Sequence, residues 1–221
     1  MSASARLGAS IAVFVSSPCR RNQVVTLSHA DFSFSVRTDD RGVFSGTIPA
    51  FTSRATVEVI FDDGATANAQ VSLRDASDIE RLAIVWSVPV NLDLHAFKNG
   101  ATENSKGHVW ADSPRVYRDT LIGGGGFLEA FGDSSIEGGT MAEVYSLPTS
   151  RIRHKTTVEL DLRINNIDAY CDQPMALRTV RSDDSGEITK REFNLRLPKC
   201  GVASGGLILE DFVDTIGVAG K

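Results

Sequence analysis

What this sequence lacks excludes more than what it contains. It has three cysteines, Cys19, Cys171 and Cys200; the odd count allows at most one disulfide within the chain and leaves a thiol over. It has no apolar run of about 18 residues, so no membrane-crossing helix is expected. It has no basic surplus: 23 Lys and Arg face 28 Asp and Glu, a net charge of −5, which gives no electrostatic footprint for nucleic acid or for anionic lipid. Neither the G-x-S-x-G hydrolase elbow nor the G-x-x-x-x-G-K-[ST] phosphate loop occurs. Gly123–Gly126 do not complete G-x-G-x-x-G, because Leu128 or Glu129 stands where the third glycine belongs. The four histidines, His29, His95, His108 and His154, specify no serine triad. Glu129, Asp133, Glu137 and Glu143 carry no glycosidase spacing. Leu7 to Val15 holds too little charge and hydrophobicity for a signal peptide, so an export signal would lie upstream or have been removed.

What is present is an ordinary globular composition, 42% apolar and 23% charged over 221 residues, enough for one large β domain or two small ones. Strand signals dominate. Phe32, Phe34 and Val36 alternate with Ser33, Ser35 and Arg37 before the turn Asp39-Asp40-Arg41-Gly42. Val57, Val59 and Phe61 repeat the pattern before Asp62-Asp63-Gly64, and Asp183-Asp184-Ser185-Gly186 separates two later runs. None of these Asp-Asp turns has the spacing of an EF-hand loop. Residues 8–75 therefore read as a small sandwich. The polar stretch Arg74–Asp78 marks a boundary. Residues 80–217 read as a larger sandwich, with strands at 82–86, 91–97, 142–147, 157–164, 175–181 and 191–197. The expected fold class is all-β, two packed β-sandwiches.

Inside the second region lies an insertion, 98–141, that holds 9 of the 19 glycines and shows little periodicity. Loops of that length in compact domains usually carry function. Ser113 as a cap and Pro114 as first helical residue predict a short helix over Arg115–Leu121. Near the C-terminus, Leu209, Phe212, Val213 and Ile216 recur at helical spacing before Gly217, which predicts a short amphipathic helix.

The most distinctive stretch is Asn91-Leu92-Asp93-Leu94-His95-Ala96-Phe97. On a strand, Asp93, His95 and Phe97 share one face and Leu92, Leu94 and Ala96 the other. A carboxylate and an imidazole projecting together can ligate a divalent metal, with His108 or a loop carboxylate such as Asp112 completing the set; the plainer alternative is an Asp–His hydrogen bond that pins the insertion to the sheet. With Leu82-Ala83-Ile84-Val85-Trp86, Gly107-His108-Val109 and Ala142-Glu143-Val144-Tyr145, this stretch resembles the "DLDLH" β-sandwich domains of uncharacterised bacterial envelope proteins, over roughly residues 80–148. Asn91 departs from the acidic residue that often begins that motif. Residues 8–75 are similar to the Ig-like or transthyretin-like modules that precede binding domains in surface proteins. The resemblance implies an exported protein with a non-enzymatic role.

Two further expectations concern compartment and ligand. Cys171 and Cys200 sit in turn-like contexts at the ends of a hairpin, and a disulfide between them would imply an oxidising, extracytoplasmic compartment; three reduced thiols are the alternative. In the insertion, Trp110 and Tyr117 offer rings for stacking, and Asp112, Arg115 and Arg118 offer groups that can hydrogen-bond sugar hydroxyls. Trp110 could equally anchor the insertion. These readings lead to a non-catalytic, exported binding or adhesion module without a resident cofactor, engaging envelope polysaccharide or a partner protein through 98–141. The alternatives are a structural subunit of a larger surface or fibre assembly, and a metal-dependent enzyme around Asp93 and His95.

Overall fold

The structure is a computed structural model that describes residues 1–87, 90–150, 152, 154–165, 167–183, 185–201, 206–209 and 215–218. It is all-β, with four antiparallel sheets. The first contains β1 (Ser2–Arg6), β2 (Ser10–Ser16) and β5 (Val43–Pro49) in that order. The second is ordered β4 (Phe32–Arg37), β3 (Val24–His29), β6 (Arg54–Phe61), β7 (Thr66–Ser72). A 3-10 turn, Ala76–Asp78, leads directly into β8 (Ile79–Ser87).

β8 is the centre of the third sheet. β12 (Thr140–Pro148) lies on one side with β11 (Phe127–Phe131) beyond it, and β14 (Pro174–Ser182) lies on the other with β15 (Ile188–Arg196) at the edge. In the fourth sheet β13 (Thr156–Asn165) pairs along one edge with β9 (Asn91–Lys98), which in turn carries β10 (His108–Val109). Along its other edge β13 takes two short strands, β16 (Gly206–Leu209) and β17 (Ile216–Val218).

The apolar run of β8 has no alternation because both of its faces are covered. Ile79, Ala83 and Val85 join a hydrophobic cluster shared with the first and second sheets, together with Ala142, Val144 and Val180 of the flanking strands. Leu82, Ile84 and Trp86 face the fourth sheet, where Leu92, Leu94, Ala96, Leu160, Leu162 and Ile164 meet them. The third sheet is thus a common wall of two cores. On the first side it is keyed by Phe131, whose ring lies 5.4 Å from that of Phe32 and 5.3 Å from that of Phe34.

One position on the shared wall is not apolar. Arg81 points to the same side as Ala83 and is fully buried. Its Nη1 donates to the Ala50 carbonyl and its Nη2 to the Gly8 carbonyl, each at 2.7 Å. These carbonyls belong to the turns after β5 and before β2, so one guanidinium ties the N-terminal sheets to β8. Burial lowers its pKa to about 10, against the raising effect of Glu129 and Asp75, which leaves it charged at neutral pH. His29 makes a similar pin without charge. Its Nε2 accepts from the Phe51 N–H at 3.1 Å, so its Nδ1 donates to the Thr56 carbonyl at 3.0 Å, and burial lowers its pKa.

Two expected helices differ from what is found. Arg115 adopts φ 57°, left-handed backbone that cannot start a helix, so α1 begins later and spans Tyr117–Gly123. Ser113 does not cap it; it forms a bridge with Trp110, and the Asp119 carboxylate accepts from the Val116 N–H at 3.1 Å. At the C-terminus, Leu209 lies in β16 and Ile216 in β17, so the helical spacing is corrected to strand pairing with β13; Phe212 and Val213 lie outside the described residues. Asp184 lies outside them too, while Asp183 closes its turn by accepting from Ser185 N and Glu187 N at 3.0 and 2.9 Å.

Cys171 and Cys200 form a disulfide, 29 residues apart, beyond the open end of the β14–β15 hairpin. Cys19 is free and exposed. The bridge holds an edge strand that buries little of itself: most of β15 is exposed or half-exposed. Two stability outcomes follow. Replacing Arg81 by Ala orphans two buried carbonyls and opens a cavity, and should lower the urea-derived unfolding free energy by about 4 kcal/mol; a loss below about 1 kcal/mol would mean that the carbonyls find other donors. Reducing the disulfide should lower it by about 3 kcal/mol, and a transition unmoved by dithiothreitol would refute that role.

Candidate functional site

The period-two reading of β9 holds in space. Leu92, Leu94 and Ala96 enter the core between the third and fourth sheets, and Asp93, His95 and Phe97 share the opposite, outer face. The chain then turns through Asn99 and Gly100, both with positive φ, and returns as β10, which sets His108 across from Phe97. The result is a stack of rings. Phe97 and His108 lie 4.4 Å apart and nearly parallel, and Trp110 lies parallel to His108, inclined by 1°, at 5.5 Å. His95 lies 5.0 Å from His108 and 5.2 Å from Trp110.

Hydrogen bonds fix the protons in this stack. The Asn104 N–H donates to His108 Nδ1 at 3.0 Å, so a neutral His108 carries its proton on Nε2. That Nε2 faces His95 Nδ1 at 2.9 Å and donates to it, which leaves the His95 proton on Nε2. Both rings are held neutral. Burial first, then the Arg163 cation and His108, lower His95 to about 4. Burial and Arg163 lower His108 as well.

Around the rings lies a polar rim. Arg163 pairs with Glu103, and the Asn165 amide bonds the Asp93 carboxylate. Burial raises the Asp93 pKa, and the nearby Asp112 carboxylate adds to that. Below it Glu143, 6% exposed, reaches between the sheets so that its Oε2 accepts from the Leu94 N–H at 2.7 Å. Burial raises Glu143 to about 7, with Asp93 contributing repulsion.

The structure therefore joins some of the expected site residues and separates others. His95 and His108 meet, as the metal set required, yet they bond each other through facing ring nitrogens while Asp93 bonds Asn165. Among the described residues no group of three or more His, Cys, Asp or Glu is placed to hold a metal ion. The pin expected between Asp93 and His95 takes the form of a His–His bond instead. Of the five ligand-binding residues, Trp110 is half-buried on the stack and Asp112 is exposed beside it. Arg115 donates to the carbonyls of Gly124 and Asp119 at 2.9 and 3.2 Å, bracing α1 against the glycine run. Arg118 is exposed on α1. Tyr117 packs against the N-terminal core cluster, and its ring leaves no room for a side chain at Gly8. It is a packing residue apart from the stack. Sequence reasoning did not single out Phe97 as a stacking partner or Asn104, and it weighed Glu143 only as a carboxylate without glycosidase spacing. Only Phe97 carried a signal, its phase with Asp93 and His95.

Compared with known proteins, the chain matches no family model and no curated sequence.

Glu143 generates a test of this geometry. A carboxyl whose pKa rises on folding contributes stability that is fully present below its unfolded value, near 4.5, and is lost as pH rises through about 7. His29, His95 and His108, lowered on folding, act in the opposite sense: their contribution is present above 6.5 and lost on acidification. Comparing wild type with Glu143→Gln cancels the histidines. The difference in unfolding free energy should be constant below pH about 4.5 and move in favour of Gln by about 3 kcal/mol by pH 8. A difference independent of pH would show that Glu143 is not held protonated.

Proposed function

We propose that this protein is an exported, non-catalytic recognition module that holds a sugar unit of an envelope polysaccharide against Trp110, in the segment 98–141. The observation that carries this reading is the support behind the indole. Flat CH-rich sugar faces stack on aromatic rings, and a ring already ordered loses little entropy on binding. Trp110 is backed by two buried, neutral histidines whose protons are fixed by hydrogen bonds. Glu103 and Asp112 stand exposed around it, able to meet sugar hydroxyls, while Asp93 lies half-buried at the rim. The Cys171–Cys200 disulfide fits an oxidising compartment. Among the described residues no helix is long and apolar enough to cross a membrane.

Binding to a panel of bacterial polysaccharides, followed by glycan array and then by calorimetry, tests the proposal. Trp110→Ala should abolish saturable binding while shifting Tm by no more than a few degrees, because the indole is half-exposed and lies over, rather than within, the core. Tyr117→Ala should do the reverse, lowering Tm and leaving affinity intact. Retention of binding by Trp110→Ala, or its loss together with the fold, would remove the platform.

A further inference from the structure

On the other side of β10, where Gly107 and Val109 face the opening between the third and fourth sheets, lies a cavity of about 360 Å³. That volume is in the range of small-ligand sites. Its walls carry three cations, Lys98, Lys106 and Arg115, with Gly124–Gly126 and Tyr145, and no acidic side chain. Neither lysine is ion-paired with a described residue. Arg115 is held by two carbonyls, which fix its guanidinium, and it is in no ion pair with a described residue. The Lys98 ammonium and Arg115 Nη1 both lie within 4 Å of one point, the place a Gly125 side chain would occupy. Two like charges brought together in a half-enclosed site repel, and an anion between them relieves that repulsion.

The glycines make this convergence possible. Gly124 and Gly125 have φ of 60° and 85°, left-handed backbone that favours glycine, and a side chain on Gly126 would overlap the Tyr145 ring. The run therefore passes over the buried ring of Tyr145. Tyr145 also lines the cavity.

We propose that this cavity binds the oxyanion of an acidic sugar, its carboxylate or its phosphate or sulfate ester, between Lys98, Lys106 and Arg115, beside Tyr145. The sugar-sized ligand rests on the recognition function proposed above, and the anion chemistry stands on the cavity itself. Both ends of β10 would then contribute, His108 to the ring stack and Val109 to the cavity wall, so an acidic polysaccharide could engage the platform and the cavity together.

Titration of the full chain with glucuronate, inorganic phosphate and glucose at low salt tests this, with Lys98→Gln/Lys106→Gln as the variant. Arg6→Gln/Arg21→Gln serves as a control, removing the same charge from exposed positions elsewhere. Glucuronate and phosphate should bind and glucose should not. The lysine variant should weaken both about tenfold, the control should not, and added salt should weaken wild-type binding. Equal loss in the control, no loss in the lysine variant, or no anion binding by wild type would overturn the site. Phosphate binding without binding of glucuronate or of glucose 6-phosphate titrated beside it would overturn the acidic sugar. Gly125→Ala, which places a methyl group 2.9 Å from Arg115 Nη1, should also abolish anion binding, and anion binding retained by that variant in a folded protein would overturn the site. Neutral polysaccharides report on Trp110 alone, so failure there with anion binding intact would sink the platform and leave the cavity standing.

Discussion

A strand covered on both faces must satisfy two sets of neighbours with one backbone, and β8 is under that constraint for nearly its whole length. Its odd positions are fitted to the N-terminal sheets and its even positions to the fourth sheet. A slip of one residue would exchange the two sets, driving Arg81 into the apolar space that Leu82 fills. Arg81 thus acts as a register key as well as a tie. Its two carbonyl partners belong to turns far away in sequence, and a guanidinium in any other phase could not reach them. The positions of β12, β14 and β9 all follow from where β8 is held.

The candidate site depends on that placement through few steps. Tyr145 and Glu143 lie on β12, beside β8, and point toward the fourth sheet. Glu143 fastens the Leu94 amide, in the middle of the strand that presents His95 and Phe97. Tyr145 forms the floor over which the glycine run bends. Ring stack and cation-lined cavity are therefore built from one short hairpin, β9 and β10, laid on a rigid base. The two differ in physics. The stack is neutral, because burial keeps both histidines unprotonated, whereas the cavity is lined by three cations in a chain whose net charge is negative.

Much of the fold was legible because most strands alternate cleanly, and Asp93, His95 and Phe97 could be assigned to one face on period two alone. The unbroken apolar run of β8 was itself a signal of double burial, although nothing local says that Arg81 is buried inside it. The C-terminal helical spacing misleads at Leu209 and Ile216, which lie in strands, while 210–214 lie outside the described residues. Each belongs to a segment too short for periodicity to decide, and the free edge of β13 captures both. The helix start was misplaced because Ser113 and Pro114 are good local signals overridden by the left-handed backbone at Arg115. The site was the least legible part. Trp110, His108 and His95 meet only because a loop returns β10 beside β9, and Lys98, Lys106 and Arg115 meet only through the conformations of three glycines.

A wall that serves two cores also limits how such a chain can be rearranged. Modules joined by a linker can be shuffled, duplicated or lost by recombination at the linker, and the polar stretch at 74–78 has the composition of one. Cutting there would strip Ile79, Ala83, Val85, Ala142, Val144 and Val180 of their cover and leave Arg81 facing water in place of its carbonyls. A contiguous bare apolar sheet face is prone to aggregation. Descent with the two parts kept together is the viable route, so the N-terminal sheets are expected to travel with the site-bearing part wherever this architecture is inherited.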